Sequence, residues 1–319
     1  MMTKPRVGLI GLGAIGQILA SHLLRAHGRL TVFDLDPERV NALARSGANP
    51  ADSARDLGSK CDFVVVSLPS PSAVESAITG ADGVLAGLAP GSIVLDMSTI
   101  DPQTSRRMYA AASQGGASYL DAPVSGGQPL SGGTDGARTA SLTFMVGGDE
   151  NAFERAKPVM AAMGKHFFHL GPAGAGSTVK LISNLASGIY ALVFAEAFVL
   201  GAAAGFDAPK LLEVFEQTDA KSFFMTDYLA PRLLRDDFEP GFSVRLQLKD
   251  HRLAAELGHE LGVPLLLNQV AIHYYEMMAA QGRAENDVAD AVRFLGVLAA
   301  GPRSSSKTRG GAQVDPRSP

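Results

Sequence analysis

Lys180 and Asn184 stand four residues apart at the start of the longest apolar helical pattern in the chain, just after the run Gly171-Pro172-Ala173-Gly174-Ala175-Gly176. A four-residue step puts both side chains on one helical face, so an amine that can move a proton stands beside an amide that can orient a substrate. Taken alone, such a pair reads as readily as a solvated helix face. Its meaning depends on what the rest of the chain brings to it.

Near the N-terminus, Arg6-Val7-Gly8-Leu9-Ile10 reads as a short buried strand running into Gly11-Leu12-Gly13-Ala14-Ile15-Gly16, with a helical pattern from Gln17 to Arg25. This is the dinucleotide fingerprint in its strand-turn-helix setting. Gly11 permits the tight turn, Gly13 lets backbone approach a pyrophosphate, Gly16 allows helix to pack on strand, and the helix N-terminus offers N–H groups to phosphates. A second strand, Leu30 to Phe33, ends at Asp34, where a carboxylate can accept hydrogen bonds from adenosine ribose hydroxyls. That carboxylate repels a 2′-phosphate, so NAD is the expected cofactor. Arg39 lies close enough along the chain to keep NADP open.

Further strand ends supply candidate cofactor walls, because ligands gather at the carboxyl ends of strands in open parallel sheets. The run Asp62 to Ser67 stops at Leu68-Pro69, a rigid apolar surface, with Ala73 a small contact at the start of the next helix; Ser92 to Asp96 stops at Met97-Ser98-Thr99, whose Thr99 hydroxyl suits the nicotinamide ribose. Tyr119 to Val124 runs into Ser125-Gly126-Gly127, where a hydroxyl and successive backbone N–H groups can converge on a carboxylate. A strand over 143–146, a helix over 152–163 and a strand over 166–170 complete the first part. His166 and His169 point to opposite faces of that last strand and read as structural.

Beyond Gly176 the pattern is helical throughout, with periodic spacing over 211–217, 225–234, 244–261, 265–281 and 288–298. The expected fold is an α/β Rossmann-like N-terminal domain over 1–173, joined by a long helix to an all-α domain over 174–300. The stretch 301–319, rich in Gly, Ser, Pro and Arg, is expected to be disordered. The apolar run from Leu185 to Gly205 is about as long as a membrane span. Glu196 in its middle, with Ser187 and Gly188 near its start, argues for a helix buried between domains or subunits, in a cytoplasmic protein. The N-terminus mimics a signal peptide only superficially, since cleavage would destroy the fingerprint.

With 319 residues, 46% hydrophobic content and a net charge of -4, the chain has room for two ordinary soluble domains and carries no basic patch for nucleic acid. The single Cys61 makes neither a disulfide within the chain nor a Cys/His zinc set, so metal-free hydride chemistry is expected.

Together the ordered motifs at 11–16, 67–69, 96–100, 121–127 and 174–180 with Asn184, and the pair Lys249-Asp250, resemble the β-hydroxyacid dehydrogenase family, over roughly Arg6 to Leu298. The resemblance implies reversible hydride transfer between a short β-hydroxy acid and its semialdehyde or oxo acid. It implies Lys180 as the catalytic acid and base, Ser125, Gly126, Gly127 and Asn184 around the substrate, and Thr99 and Lys249 near the nicotinamide. It also implies a helical domain that builds dimers or tetramers. The fifth fingerprint position, often Met in the family, is Ile15 here, and the segment 128–140 looks about six residues longer than usual, so the family's substrates do not transfer directly. Imine reductases on the same scaffold tend to carry another proton donor in place of Lys180, and non-catalytic NAD(P)-binding regulators lose it. Both remain alternatives.

Overall fold

The computed structural model describes residues 4–126 and 135–300. The first part alternates strands and helices: β1 (Val7–Ile10), α1 (Ala14–His27), β2 (Thr31–Phe33), α2 (Pro37–Arg45), β3 (Asn49–Pro50), α3 (Ala54–Lys60), β4 (Phe63–Val66), α4 (Pro71–Thr79), β5 (Ile93–Asp96), α5 (Pro102–Gln114) and β6 (Ser118–Asp121). All six strands pair in parallel in the order β3-β2-β1-β4-β5-β6. Alternate residues of the apolar strands enter different cores. Leu9, Val65 and Leu95 pack with α1, whereas Val64, Val66 and Val94 pack with Leu57, Ile78 and Met108 of α3, α4 and α5. Burial on both faces is why these strands read as continuous β-branched runs. Three helices start with the same signal, an Asp or Ser cap followed by proline: Asp36-Pro37, Ser70-Pro71 and Asp101-Pro102.

Sheet order reverses between β1 and β4, and the crevice at the carboxyl ends of these two strands is where such sheets bind ligands. The expected strand through Ser125 is interrupted. It stops at Asp121, Pro123 intervenes, and the chain joins a second sheet of β7 (Val124–Ser125), β8 (Leu142–Val146) and β9 (Gly164–His169), with β7 antiparallel and β9 parallel to β8. Around them lie α6 (Asp135–Arg138) and α7 (Glu150–Met160). Of the two histidines read as structural, His169 is partnered, bonding Gly148 O at 2.8 Å and stacking on Phe153, while His166 is exposed.

The helical part begins with α8 (Ala175–Ala203), followed by α9 (Ala208–Phe215), α10 (Ala230–Arg235), α11 (Val244–Glu260), α12 (Leu266–Met278) and α13 (Ala291–Ala300). At 29 residues α8 is about 43 Å long, and by length and mean hydropathy it could cross a membrane. It packs on β8 and α5 and on α11, α12 and α13. Two expected helices are broken. Residues 224–229 form a π-helical turn before α10, because Pro231 lacks an N–H and its ring crowds the carbonyl four residues back. The α12 helix ends at Met278, and the turn Ala279–Arg283 that follows holds Gly282 at φ +78°. Gly127, most of the long segment at 128–140 and the tail 301–319 lie outside the described residues.

Candidate active site

The fingerprint glycines divide by what surrounds them. A Cβ on Gly11, which sits at φ +92°, would fall 2.2 Å from Ser67 O, and one on Gly16 would fall 2.0 Å from Gly11 O. The fold itself demands glycine at both. On Gly13 a Cβ would meet nothing within 4 Å. There the missing side chain opens space for a ligand. Gly13 also caps α1 without any side-chain hydrogen bond, so the positive end of that helix faces the crevice uncapped, as a pyrophosphate requires. The residues present therefore fit a dinucleotide.

Asp34 follows β2 as expected and is tied to the same loop. Its Oδ2 accepts from Leu12 N at 2.6 Å and its Oδ1 from Asp36 N at 2.9 Å, which leaves further lone pairs for ribose hydroxyls. Arg39 pairs with Asp36 at 3.1 Å and stands 3.9 Å from Asp34, so its guanidinium is at the position where a 2′-phosphate would compete with the carboxylate. Across the crevice, Leu68 N donates to Ser98 Oγ at 2.9 Å, while Ser98 N and Tyr119 OH both donate to Asp96, at 2.9 and 2.8 Å. Burial pushes the Asp96 carboxyl up to about 6, opposed by these donors. This relay fixes the Leu68-Pro69 and Thr99 strand ends relative to each other. Ser70 caps the next helix through Ala73 N at 3.2 Å.

The helix that carries Lys180 begins without a local cap, since Gly174 stands at its start in the left-handed region. The missing acceptor comes from β6. The Asp121 carboxylate accepts from Gly174 N and Ser177 N, each at 2.8 Å, and side chains on Gly147 or Gly176 would collide with Asp121. Burial raises the Asp121 carboxyl, and the backbone N–H groups oppose it. Three residues beyond Ser177, Lys180 is only 9% exposed, and its Nζ has no hydrogen-bond or ion-pair partner among the described residues. Burial lowers this amine to about 8, helped by the Lys249 ammonium and opposed by the Asp250 carboxylate.

Asn184, one turn on, donates from Nδ2 to Asp250 Oδ2 at 2.5 Å. Lys249 Nζ stands 2.8 Å from Asp250 Oδ1 and donates to Thr99 O at 2.5 Å, joining α11 to the end of β5. A glycine permits this closeness. A side chain on Gly188 of α8 would meet His251 Nε2 at 2.2 Å and Gln247 Nε2 at 2.3 Å, both on α11. Gln247 Nε2 then reaches Asn184 O at 2.9 Å.

Asn184, Lys249 and Thr99 are thus linked through Asp250, with Lys180 one turn before Asn184 on the same helical face. Ser125 and Gly126 lie apart from that hydrogen-bonded set, on and just after β7, and the Ser125 hydroxyl has no partner among the described residues. Gly127 lies outside the described residues and is not placed with them. Asp121 and Asp250 sit inside the sequence motifs, which assign them no role. A helix opening on Gly-Ala-Gly, with no Ser, Thr, Asp or Asn to cap it, is the available signal that an acceptor must arrive from elsewhere.

Comparison with known proteins gives consistent matches over both parts. Residues 6–171 match the family described as the NAD binding domain of 6-phosphogluconate dehydrogenase, and residues 174–295 match the NAD-binding region of NADP-dependent 3-hydroxyisobutyrate dehydrogenase. The chain is 38% identical to an NAD-dependent L-serine dehydrogenase of Pseudomonas aeruginosa, covering 88% of this chain and 95% of that one. It is 34% identical to the 2-(hydroxymethyl)glutarate dehydrogenase of Eubacterium barkeri, covering 90% and 94%. The solved structure of Mycobacterium tuberculosis 3-hydroxyisobutyrate dehydrogenase with L-serine superposes with a TM-score of 0.83 at 31% identity, covering 92% of this chain and 99% of that chain.

Proposed function

Because this chain belongs to the β-hydroxyacid dehydrogenase family, we propose that it is an NAD(P)-dependent oxidoreductase acting on the CH–OH group of a short β-hydroxy acid, with Lys180 as general acid and base. The observation that carries this reading is the state of Lys180, a buried amine lowered to about 8 that no described protein group engages, one helical turn from an amide. An ordinary lysine, at ~10.4, would almost never be free to accept a proton at neutral pH.

The relatives' substrates share one chemistry. L-Serine, 3-hydroxyisobutyrate and 2-(hydroxymethyl)glutarate are each named for one of these relatives, and all carry a hydroxymethyl group on the carbon bearing the carboxylate. The proposed substrate is an acid of this pattern, oxidised to its semialdehyde. Ser125 and the backbone of Gly126 and Gly127 receive the carboxylate, Asn184 orients the hydroxyl, and neutral Lys180 removes its proton during oxidation; in reduction the Lys180 ammonium returns it. When bound, the nicotinamide accepts or supplies the hydride at C4. Gly11 to Gly16 hold the pyrophosphate, Asp34 the adenosine ribose, and Leu68, Pro69, Ala73, Thr99 and Lys249 the nicotinamide half. The retained Lys180 favours this activity over imine reduction.

The protein is further proposed to be a cytoplasmic homodimer or homotetramer. Support for assembly comes from α8, which exposes Val179, Ile182, Tyr190, Val193 and Leu200 in a helical stripe, and from α12, which exposes Leu266, Leu267 and Val270. Apolar surface exposed along a helix in this way marks an interaction site.

The test is a panel of the three named acids with NAD and NADP, followed at the NADH absorbance. Lys180→Ala is expected to lose turnover by about 10²–10⁴-fold while still binding NADH. Near-normal turnover in that variant, or no reduction of either cofactor by any acid of this pattern, would defeat the proposal.

A further inference from the structure

We propose that Asp250 is the positioning residue of the proton-transfer site: one carboxylate oxygen fixes the orientation of the Asn184 amide, while the other, beside Lys249, holds negative charge against Lys180. This inference rests on Lys180 being the acid and base. Asp250 is 1% exposed and its Oδ1 is sealed from solvent, so it acts through its neighbours and not on substrate.

The amide argument follows from hydrogen-bonding capacity. An ionised carboxylate only accepts, so the end of Asn184 that faces Asp250 at 2.5 Å must be its NH₂. What remains for a ligand is the carbonyl oxygen Oδ1 and one N–H. Neither has a protein partner among the described residues. With Lys180 on the same face one turn earlier, Oδ1 is the acceptor offered to a substrate hydroxyl or to the lysine ammonium. A neutral amide at position 250 could present either end and would lose that control.

The charge argument follows from what stands beside Asp250. Its Oδ1 pairs with Lys249 Nζ at 2.8 Å, and the same ammonium, with three N–H groups, also donates to Thr99 O. A buried carboxylate places its negative charge where few groups screen it. Two lysines feel that charge, Lys249 in contact and Lys180 through space. The charged groups that act on Lys180 both come from α11, Asp250 favouring the ammonium and Lys249 opposing it. Burial lowers the amine, and the pair adjusts its proton affinity from two opposing sides.

The experiment is a pH titration of the Lys180 side chain by NMR in full-length protein labelled with ¹³Cε-lysine, its resonance identified by its absence from Lys180→Ala. In the wild type the titration is expected near 8. In Asp250→Asn it moves down by about one pH unit or more, the usual effect of removing an opposite charge nearby. In Lys249→Gln it moves up, the reversed sign, and this remains readable if Asp250→Asn folds poorly; the downward move in Asp250→Asn is the one that a general loosening, which exposes the amine and raises it, would not produce. With the best acid of the panel, Asp250→Asn also lowers kcat at least tenfold while NADH affinity holds. If both variants titrate where the wild type does, the positioning role of Asp250 falls and Lys180 keeps its own. If instead Lys180→Ala retains turnover, the reading of Lys180 falls independently of any titration.

Discussion

Burying an amine that must hold a proton below pH 8 costs stability, and that cost can be measured by replacing Lys180 with methionine. The folded lysine gives up its proton at about 8 against 10.5 for the free side chain, a difference of 2.5 units. At 1.36 kcal/mol per unit this is about 3 kcal/mol, with little discount for solvent at 9% exposure. The sign follows from proton binding. Below pH 8 both states carry the ammonium and the penalty is complete; between 8 and 10.5 the unfolded chain binds more protons, so stability rises with pH; above 10.5 the penalty is gone. The Lys180→Met side chain keeps the length and removes the titration. Urea unfolding of both proteins from pH 7 to 10.5, followed by far-UV circular dichroism, should show the variant's advantage shrinking by about 3 kcal/mol as pH rises, since every other titrating group is common to the two. The variant should also be inactive, a gain in stability bought with function. A difference that stays flat across that window would refute the buried-amine reasoning, whatever the absolute stabilities.

Other perturbations test the frame around that amine. Gly16→Ala places a Cβ 2.0 Å from Gly11 O, so the fingerprint must shift and NADH affinity by fluorescence titration should fall tenfold or more; unchanged affinity would contradict the steric argument. Asp34→Ala should relax the preference for NAD over NADP, read as the ratio of kcat/KM values, and a constant ratio would remove Asp34 from that role. Asp121→Asn sets an amide against two N–H donors at 2.8 Å, only one of which it can satisfy, so unfolding should cost about 2 kcal/mol less and kcat should drop with NADH affinity held. Stability within about 0.5 kcal/mol of wild type would mean that α8 does not depend on this cap.

Local rules made the cofactor half legible. Two of the three fingerprint glycines answer to contacts only a few residues away or on the adjoining strand, and Lys180 and Asn184 share a face by helical spacing alone. What escaped was long-range. The burial of Asp250 is not legible, because nothing in the sequence says that Gly188, some 60 residues earlier, admits α11 against α8 closely enough to bury it. Asp121 reads as a strand residue ahead of the Ser-Gly-Gly run with no role of its own, because its partners Gly174 and Ser177 lie over 50 residues downstream. The break before α10 was readable in principle, from the clash of Pro231 with the turn before it, but periodicity alone carries a helix straight through a proline.

The cap on α8 has an implication for recombining such proteins. Cutting the chain at the junction near Gly171 would separate the lysine from the aspartate that sets where its helix begins. A chimera that imports a foreign nucleotide half to change cofactor preference must bring a carboxylate at the end of the sixth strand, and the glycines that make room for it. Otherwise the graft inherits its proton donor without the peg on which that donor is hung.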